Sequence, residues 1–272
     1  MLSVTAGVDV GSSAIKAVIM SIENGNEKIL SKEVQRIRRR NAKEVARTTF
    51  DLALRKAELK ESDLAYIAST GEGELVDFKT GHFYGMTTHA RGAKFLFPET
   101  RTIADIGSLH QRAIGIDEHA KVLRYQMTGQ CASCSGQFVE NVVRYLGVRV
   151  DEVGEMAIKA DDPKRISSVC AVLGETDVIN MVSNQISIEN ILMGILESIA
   201  LRLRKLIRGI HAVSPITLTG GLAGNVGMVK AINKLLKDKD MIYTVNTHED
   251  SIFAGAIGAA LWGAFRANKL TN

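Results

Sequence analysis

Val4-Thr5-Ala6-Gly7-Val8-Asp9-Val10 alternates in the period of a half-buried strand and stops at Gly11-Ser12-Ser13, after which residues 15–22 read as a second strand. Glu23-Asn24-Gly25-Asn26 is a hairpin turn signal. A third strand is expected over 29–37. Apolar positions Val45, Ala46, Phe50, Ala53, Leu54 and Ala57 then recur at helical spacing, and 65–68 returns to a strand pattern.

The opening recurs 96 residues later. Val8-Asp9-Val10-Gly11-Ser12 lies over Ala104-Asp105-Ile106-Gly107-Ser108, and Lys16-Ala17-Val18 over Arg112-Ala113-Ile114. With a turn shorter by three, Lys28-Ile29-Leu30 matches Lys121-Val122-Leu123, and a helix is expected over 135–146. The chain therefore reads as a duplicated α/β unit, two ribonuclease-H-like lobes. The first is expected over 1–95 plus 251–272, the second over 96–250. Gly255, Ala259 and Gly263 fall every four residues, a flat strip with which the last segment would pack back on the first lobe.

One Asp-x-Gly turn is common, whereas two in matching context point to chemistry. Glycine lets backbone amides approach a phosphate, and an aspartate ending a strand can hold Mg²⁺ through water or orient an attacking water. Facing copies would enclose a triphosphate in a cleft between the lobes. Candidate phosphate contacts are Gly11, Ser12, Ser13 and Lys16 in the first copy and Gly107 and Ser108 in the second. Asp105 is the candidate to orient water, with Asp9 on the metal side. A third glycine element follows Thr219 at Gly220-Gly221, ahead of a helix expected over 225–237, and is placed against the nucleoside.

Composition narrows the class. With 46% apolar residues the chain can bury a sizeable core. No apolar run reaches the roughly 18 to 20 residues of a membrane span, and no signal-peptide pattern opens the sequence, so a cytoplasmic protein is expected. A net charge of +4 on 34 basic and 30 acidic residues gives no reason to expect a nucleic-acid partner. The basic run Arg36-Ile37-Arg38-Arg39-Arg40 reads as a solvated strand end or a docking patch for an acidic partner.

The chain has three cysteines, Cys131, Cys134 and Cys170. Cys131 and Cys134 form a C-x-x-C pair, which alone fits a dithiol or half of a zinc site. A 4Fe-4S cluster generally takes four thiolates, so one chain is short by at least one. Cys131 would sit just before the helix expected from residue 135, where the helix dipole favours a thiolate.

Asp9-Val10-Gly11-Ser12-Ser13-Ala14-Ile15-Lys16, Asp105-Ile106-Gly107 and Thr219-Gly220-Gly221 resemble the phosphate-1, phosphate-2 and adenosine motifs of the acetate kinase, sugar kinase, Hsp70 and actin superfamily. Residues 128–138, around Cys131, and 170–180, beginning at Cys170, resemble the cluster-binding segments of the BadF/BadG/BcrA/BcrD ATPase family. That family comprises benzoyl-CoA reductase ATPase subunits and 2-hydroxyacyl-CoA dehydratase activators, and the D-type subunits are most similar in wording. The resemblance implies ATP with Mg²⁺, and a 4Fe-4S cluster shared across a dimer interface with Cys131 and Cys170 as ligands from each subunit. It implies electron delivery into a benzoyl-CoA reductase type of partner enzyme. The other subunit would be a homologous ATPase subunit or a second copy, the latter in a homodimeric activator of a 2-hydroxyacyl-CoA dehydratase. The family usually has glycine where this chain has Cys134. Two rivals share the fold: a small-molecule kinase and an ATP-controlled assembly protein, neither of which accounts for the cysteine segments.

Overall fold

The computed structural model describes residues 3–23, 25–129, 135–167, 171–238 and 241–271. Two compact units divide the chain: Met1–Glu99 with Ile116–Val122 and Asp250–Asn272, and Thr100–Gly115 with Leu123–Glu249.

The first unit contains β1 (Ser3–Val10), β2 (Ala14–Glu23), β3 (Asn26–Arg36), α1 (Ala42–Lys56), β4 (Tyr66–Gly71), β5 (Gly81–His82), α2 (Gly85–Leu96) and α8 (Ala254–Thr271). Its sheet has the order β3-β2-β1-β4-β5. β1 to β3 pair antiparallel, while β4 and β5 join in parallel. The hairpin between β2 and β3 follows from Gly25, at φ +84°, although Asn24 lies outside the described residues. Asn41 caps α1 by accepting from the Lys43 amide. The expected apolar stripe of α1 is buried at Val45, Ala46, Phe50, Ala53 and Leu54. Phe50 is fully buried and stacks on Phe78 at 4.8 Å, which contributes about 2–3 kcal/mol.

α8 packs on β1, β4 and α2. A Cβ at Gly263 would lie 2.9 Å from the Tyr66 ring, so that glycine of the expected strip does meet the sheet. The closest helix approach uses a glycine outside the strip: a Cβ at Gly258 would fall 1.8 Å from the Thr88 carbonyl on α2.

The second unit contains β6 (Thr102–Ile106), β7 (Gln111–Ile116), β8 (Val122–Met127), α3 (Gly136–Leu146), α4 (Val153–Ala157), α5 (Ala171–Ser183), α6 (Ile188–Gly209), β9 (Ile216–Thr219), α7 (Val226–Leu236), β10 (Lys237–Asp238), β11 (Met241–Ile242) and β12 (Val245–Asn246). Its sheet, in the order β12-β9-β6-β7-β8, repeats the first with β6 in the place of β1 and β9 in the place of β4. The fold is thus two mixed sheets of one topology, an α/β architecture. α3 turns Phe138, Val139, Val142 and Val143 inward, as its spacing predicts. α6, which the periodicity did not single out, is the core of this unit, burying Ile191, Leu192, Ile195, Leu196, Ile199 and Leu203.

Candidate functional site

In the first unit Asp9 is the last residue but one of β1 and is 6% exposed. Its partner in the antiparallel register is Lys16, whose Nζ lies 3.7 Å from Oδ2. A Cβ on Gly11 would sit 3.3 Å from the same ammonium, so Asp9, Gly11 and Lys16 meet in one place. A Cβ on Gly255 would fall 2.9 Å from both Asp9 Oδ2 and His89 Nε2. The carboxylate thus rests against the first turn of α8, where the helix dipole favours negative charge. The Gly11 amide donates to the Ala14 carbonyl at 3.1 Å, closing the turn. Ser12 is exposed, and the Ser13 carbonyl accepts from the Ile37 amide at 2.9 Å.

The second unit repeats this station with a tighter grip. Asp105 is the last residue but one of β6 at 1% exposure, and its register partner on β7 is Arg112. Arg112 donates to Asp105 Oδ2 from Nε at 2.8 Å and Nη2 at 2.7 Å. Thr219, at the end of β9, donates from Oγ1 to Oδ1 at 3.3 Å. A rigid guanidinium fork fixes the carboxylate where an ammonium at 3.7 Å leaves it looser.

The turn after Asp105 matches the turn after Asp9: the Gly107 amide donates to the His110 carbonyl at 3.0 Å. Its outer side is bonded to α3. The Gly136 amide donates to the Gly107 carbonyl at 3.0 Å, and the Gln137 amide to the Ser108 carbonyl at 2.9 Å. Ser108 Oγ is buried and has no hydrogen-bond partner among the described residues, as suits a hydroxyl kept for a ligand. Gly220 has φ +88°, and a Cβ there would fall 2.5 Å from Asp105 Oδ1, so any larger residue displaces the carboxylate. Gly221 differs, with nothing within 4 Å of its would-be Cβ.

In the second unit the structure brings together Asp105, Gly107, Thr219 and Gly220. It adds Arg112, which was visible only as the residue aligned with Lys16 in the repeat. Cys131, Cys134 and Cys170 lie outside the described residues. Among the described residues no group of three or more His, Cys, Asp or Glu side chains is poised to hold a metal. Glu175 lies on α5, where it lines an apolar groove with Val142 and Tyr145 of α3. Among the described residues no helix is long and apolar enough to cross a membrane.

Residues 6–263 match the model of the BadF/BadG/BcrA/BcrD ATPase family. The chain is 52% identical over 270 residues to the D-type subunit of benzoyl-CoA reductase from Thauera aromatica, covering 99% of this chain and 96% of that protein. It is 34% identical over 267 residues to the activator of lactoyl-CoA dehydratase of Anaerotignum propionicum, covering 97% and 99%. Among solved structures, the activator of 2-hydroxyisocaproyl-CoA dehydratase from Clostridium difficile, with bound ADPNP, superposes with a TM-score of 0.90 at 29% identity, covering 98% of this chain and 97% of that one.

Proposed function

The chain belongs to the BadF/BadG/BcrA/BcrD ATPase family, and on that premise we propose that it hydrolyses ATP to drive electrons, through an iron-sulfur cluster, into an acyl-CoA reductase of the benzoyl-CoA reductase type. The observation that carries the ATPase half is the doubled station, a strand-end aspartate with a cationic cross-strand partner and a tight glycine turn, built once in each unit. Asp105, held by Arg112 and Thr219, orients the attacking water. Asp9, held only loosely by Lys16, faces the Mg²⁺ that ATP carries. Lys16 and the amides of the loops at Ser12, Ser13 and Ser108 neutralise and position phosphate oxygens, while Gly220 and Gly221 leave room for the nucleoside. Catalysis of this kind is positioning and charge stabilisation rather than covalent chemistry.

The donor set fits a shared cluster. Three thiols in one chain cannot supply the four thiolates of a 4Fe-4S centre, whereas Cys131 and Cys170 from each of two subunits supply four. Held there, the cluster would provide one-electron chemistry at low potential. Cys134, where the family resemblance implies glycine, is left outside the ligand set. The bonds from Gly136 and Gln137 onto Gly107 and Ser108 support the coupling of the two chemistries. A phosphate that displaces this loop pulls on the start of α3, directly after the segment that bears Cys131 and Cys134.

The other member of the dimer is taken to be a homologous ATPase subunit. A second reading, a homodimeric activator of a 2-hydroxyacyl-CoA dehydratase, rests on the lower identity, 34% against 52%. Anaerobic co-expression tests the proposal. The purified assembly should hydrolyse ATP with Mg²⁺ and carry iron and sulfide; a colourless protein with ATPase activity would refute the electron-transfer half.

A further inference from the structure

The repeat extends further than the two Asp-x-Gly turns. β4 runs parallel to β1 with Thr70 beside Asp9 and Gly71 beside Val10. β9 runs parallel to β6 with Thr219 beside Asp105, which sets Gly220 next to Ile106. Both glycines are left-handed, Gly71 at φ +69° and Gly220 at φ +88°. A Cβ on Gly220 would meet Ile106 O at 2.6 Å and Asp105 Oδ1 at 2.5 Å; one on Gly71 would meet Val10 O at 2.4 Å and Asp9 Oδ1 at 3.1 Å. Equivalent atoms are touched in both units. Beyond the glycines the register slips by one: the amide that reaches the strand carbonyl is Glu72, one residue after Gly71, onto Val10 O at 2.8 Å, and Leu222, two residues after Gly220, onto Ile106 O at 3.5 Å.

We propose that Thr70-Gly71 is the counterpart in the first unit of Thr219-Gly220, and that Gly71 is a positioning residue which sets the Asp9 carboxylate for the Mg²⁺ of the bound nucleotide. The inference rests on the ATPase reading. One difference between the corners sharpens it. Thr219 bonds its aspartate, whereas the Thr70 hydroxyl bonds Thr88 Oγ1 at 2.9 Å instead. Asp9 therefore lacks a threonine clamp from this corner, and its orientation depends more on the packing of Gly71 against Oδ1. A methyl group at 71 moves either the Val10 carbonyl or the carboxylate, and both lie beside the first phosphate turn.

The test compares Gly71→Ala with Gly25→Ala. Gly25 is also left-handed, at φ +84°, but its would-be Cβ meets nothing within 4 Å, so this control carries the backbone strain without the collision. The readouts are the Mg²⁺ concentration giving half-maximal ATP hydrolysis and the affinity for ADP in EDTA. Gly71→Ala should raise the Mg²⁺ requirement about tenfold or more, as loss of a group that orients a metal-binding carboxylate does. ADP affinity without metal should change less than about twofold, because uniform loss of nucleotide binding is not the expected effect. Gly25→Ala should match wild type in both. If Gly71→Ala does not fold, Gly71→Asn, whose side chain tolerates the left-handed backbone, takes its place. Where the wild type hydrolyses ATP, an unchanged Mg²⁺ requirement in the Gly71 variant, or an equal loss with and without metal, overturns the assignment of Gly71. A wild type that does not hydrolyse ATP overturns the ATPase reading itself.

Discussion

Arg112→Met is the most demanding test of the second station. Arg112 makes two charge-assisted hydrogen bonds, at 2.7 and 2.8 Å, to a carboxylate whose side chain is only 2% exposed. Methionine fills much of the same space but donates nothing, so the buried Asp105 carboxylate loses both charge-assisted bonds. Removing one partner of such a pair destabilises by about 3–5 kcal/mol, far more than loss of a surface ion pair. At about 2–4 °C per kcal/mol for a chain of this size, the melting temperature should fall by about 6–20 °C. Arg112→Lys keeps the charge but loses the fork and should fall by roughly half as much. The diagnostic variant is the double Arg112→Met with Asp105→Asn. It removes the stranded charge and should be more stable than Arg112→Met alone, with a coupling of at least about 1 kcal/mol. All three are read by thermal unfolding with and without ADP. A fall of less than about 2 °C for Arg112→Met, or a double variant no more stable than the single, would refute the claim that Arg112 compensates Asp105.

Further outcomes follow from the same geometry. Asp105→Ala should abolish Mg²⁺-dependent ATP hydrolysis while retaining nucleotide binding, and hydrolysis within a few-fold of wild type would contradict its role. Gly107→Val should weaken nucleotide binding, because even a Cβ there sits 3.0 Å from the His110 carbonyl and a branched side chain blocks approach to the loop; isothermal titration with ADP reads this. Iron analysis after anaerobic reconstitution should give about four irons per dimer, lost in Cys131→Ala and Cys170→Ala but kept in Cys134→Ala. The Asn190 side chain, donating from Nδ2 at 2.9 Å, holds the Asp161 carboxyl below its ordinary value of 3.8. A depressed folded value contributes stability above pH 3.8 that fades as pH falls through it, so Asn190→Ala should flatten that part of the acid unfolding curve.

The first unit was legible because its signals are local. Alternation in β1 and β2, a glycine turn and the α1 stripe each declare themselves within about ten residues. Asp9 and Asp105 were legible because a fixed shift of 96 residues superposes them with their turns. Thr70 and Thr219 escaped that comparison, since they are 149 residues apart. The segment from α3 to α6 lies between β8 and β9 and breaks the constant shift, and only parallel pairing to β1 and β6 restores the match. Arg112 was aligned with Lys16 yet not chosen, because a strand-edge cation reads as solvated until its register partner is known. α6 escaped for another reason: it buries residues on nearly every side over its first half, from Asn190 to Leu196, so no stripe marks it. The contacts of Gly92 and Gly258 between α2 and α8 join residues far apart in sequence, which no local period encodes.

Nucleotide state is proposed to act on the iron-sulfur site through the loop at Gly107 and Ser108 and the first turn of α3. The most direct test of this central claim is the rate at which a chelator removes iron from the anaerobic assembly with ADP and with ADP plus aluminium fluoride. Faster removal is expected in the transition-state-like complex, with a smaller difference when Ser108→Pro distorts the loop bonded to α3. Equal rates in the two nucleotide states of the wild-type protein would contradict it.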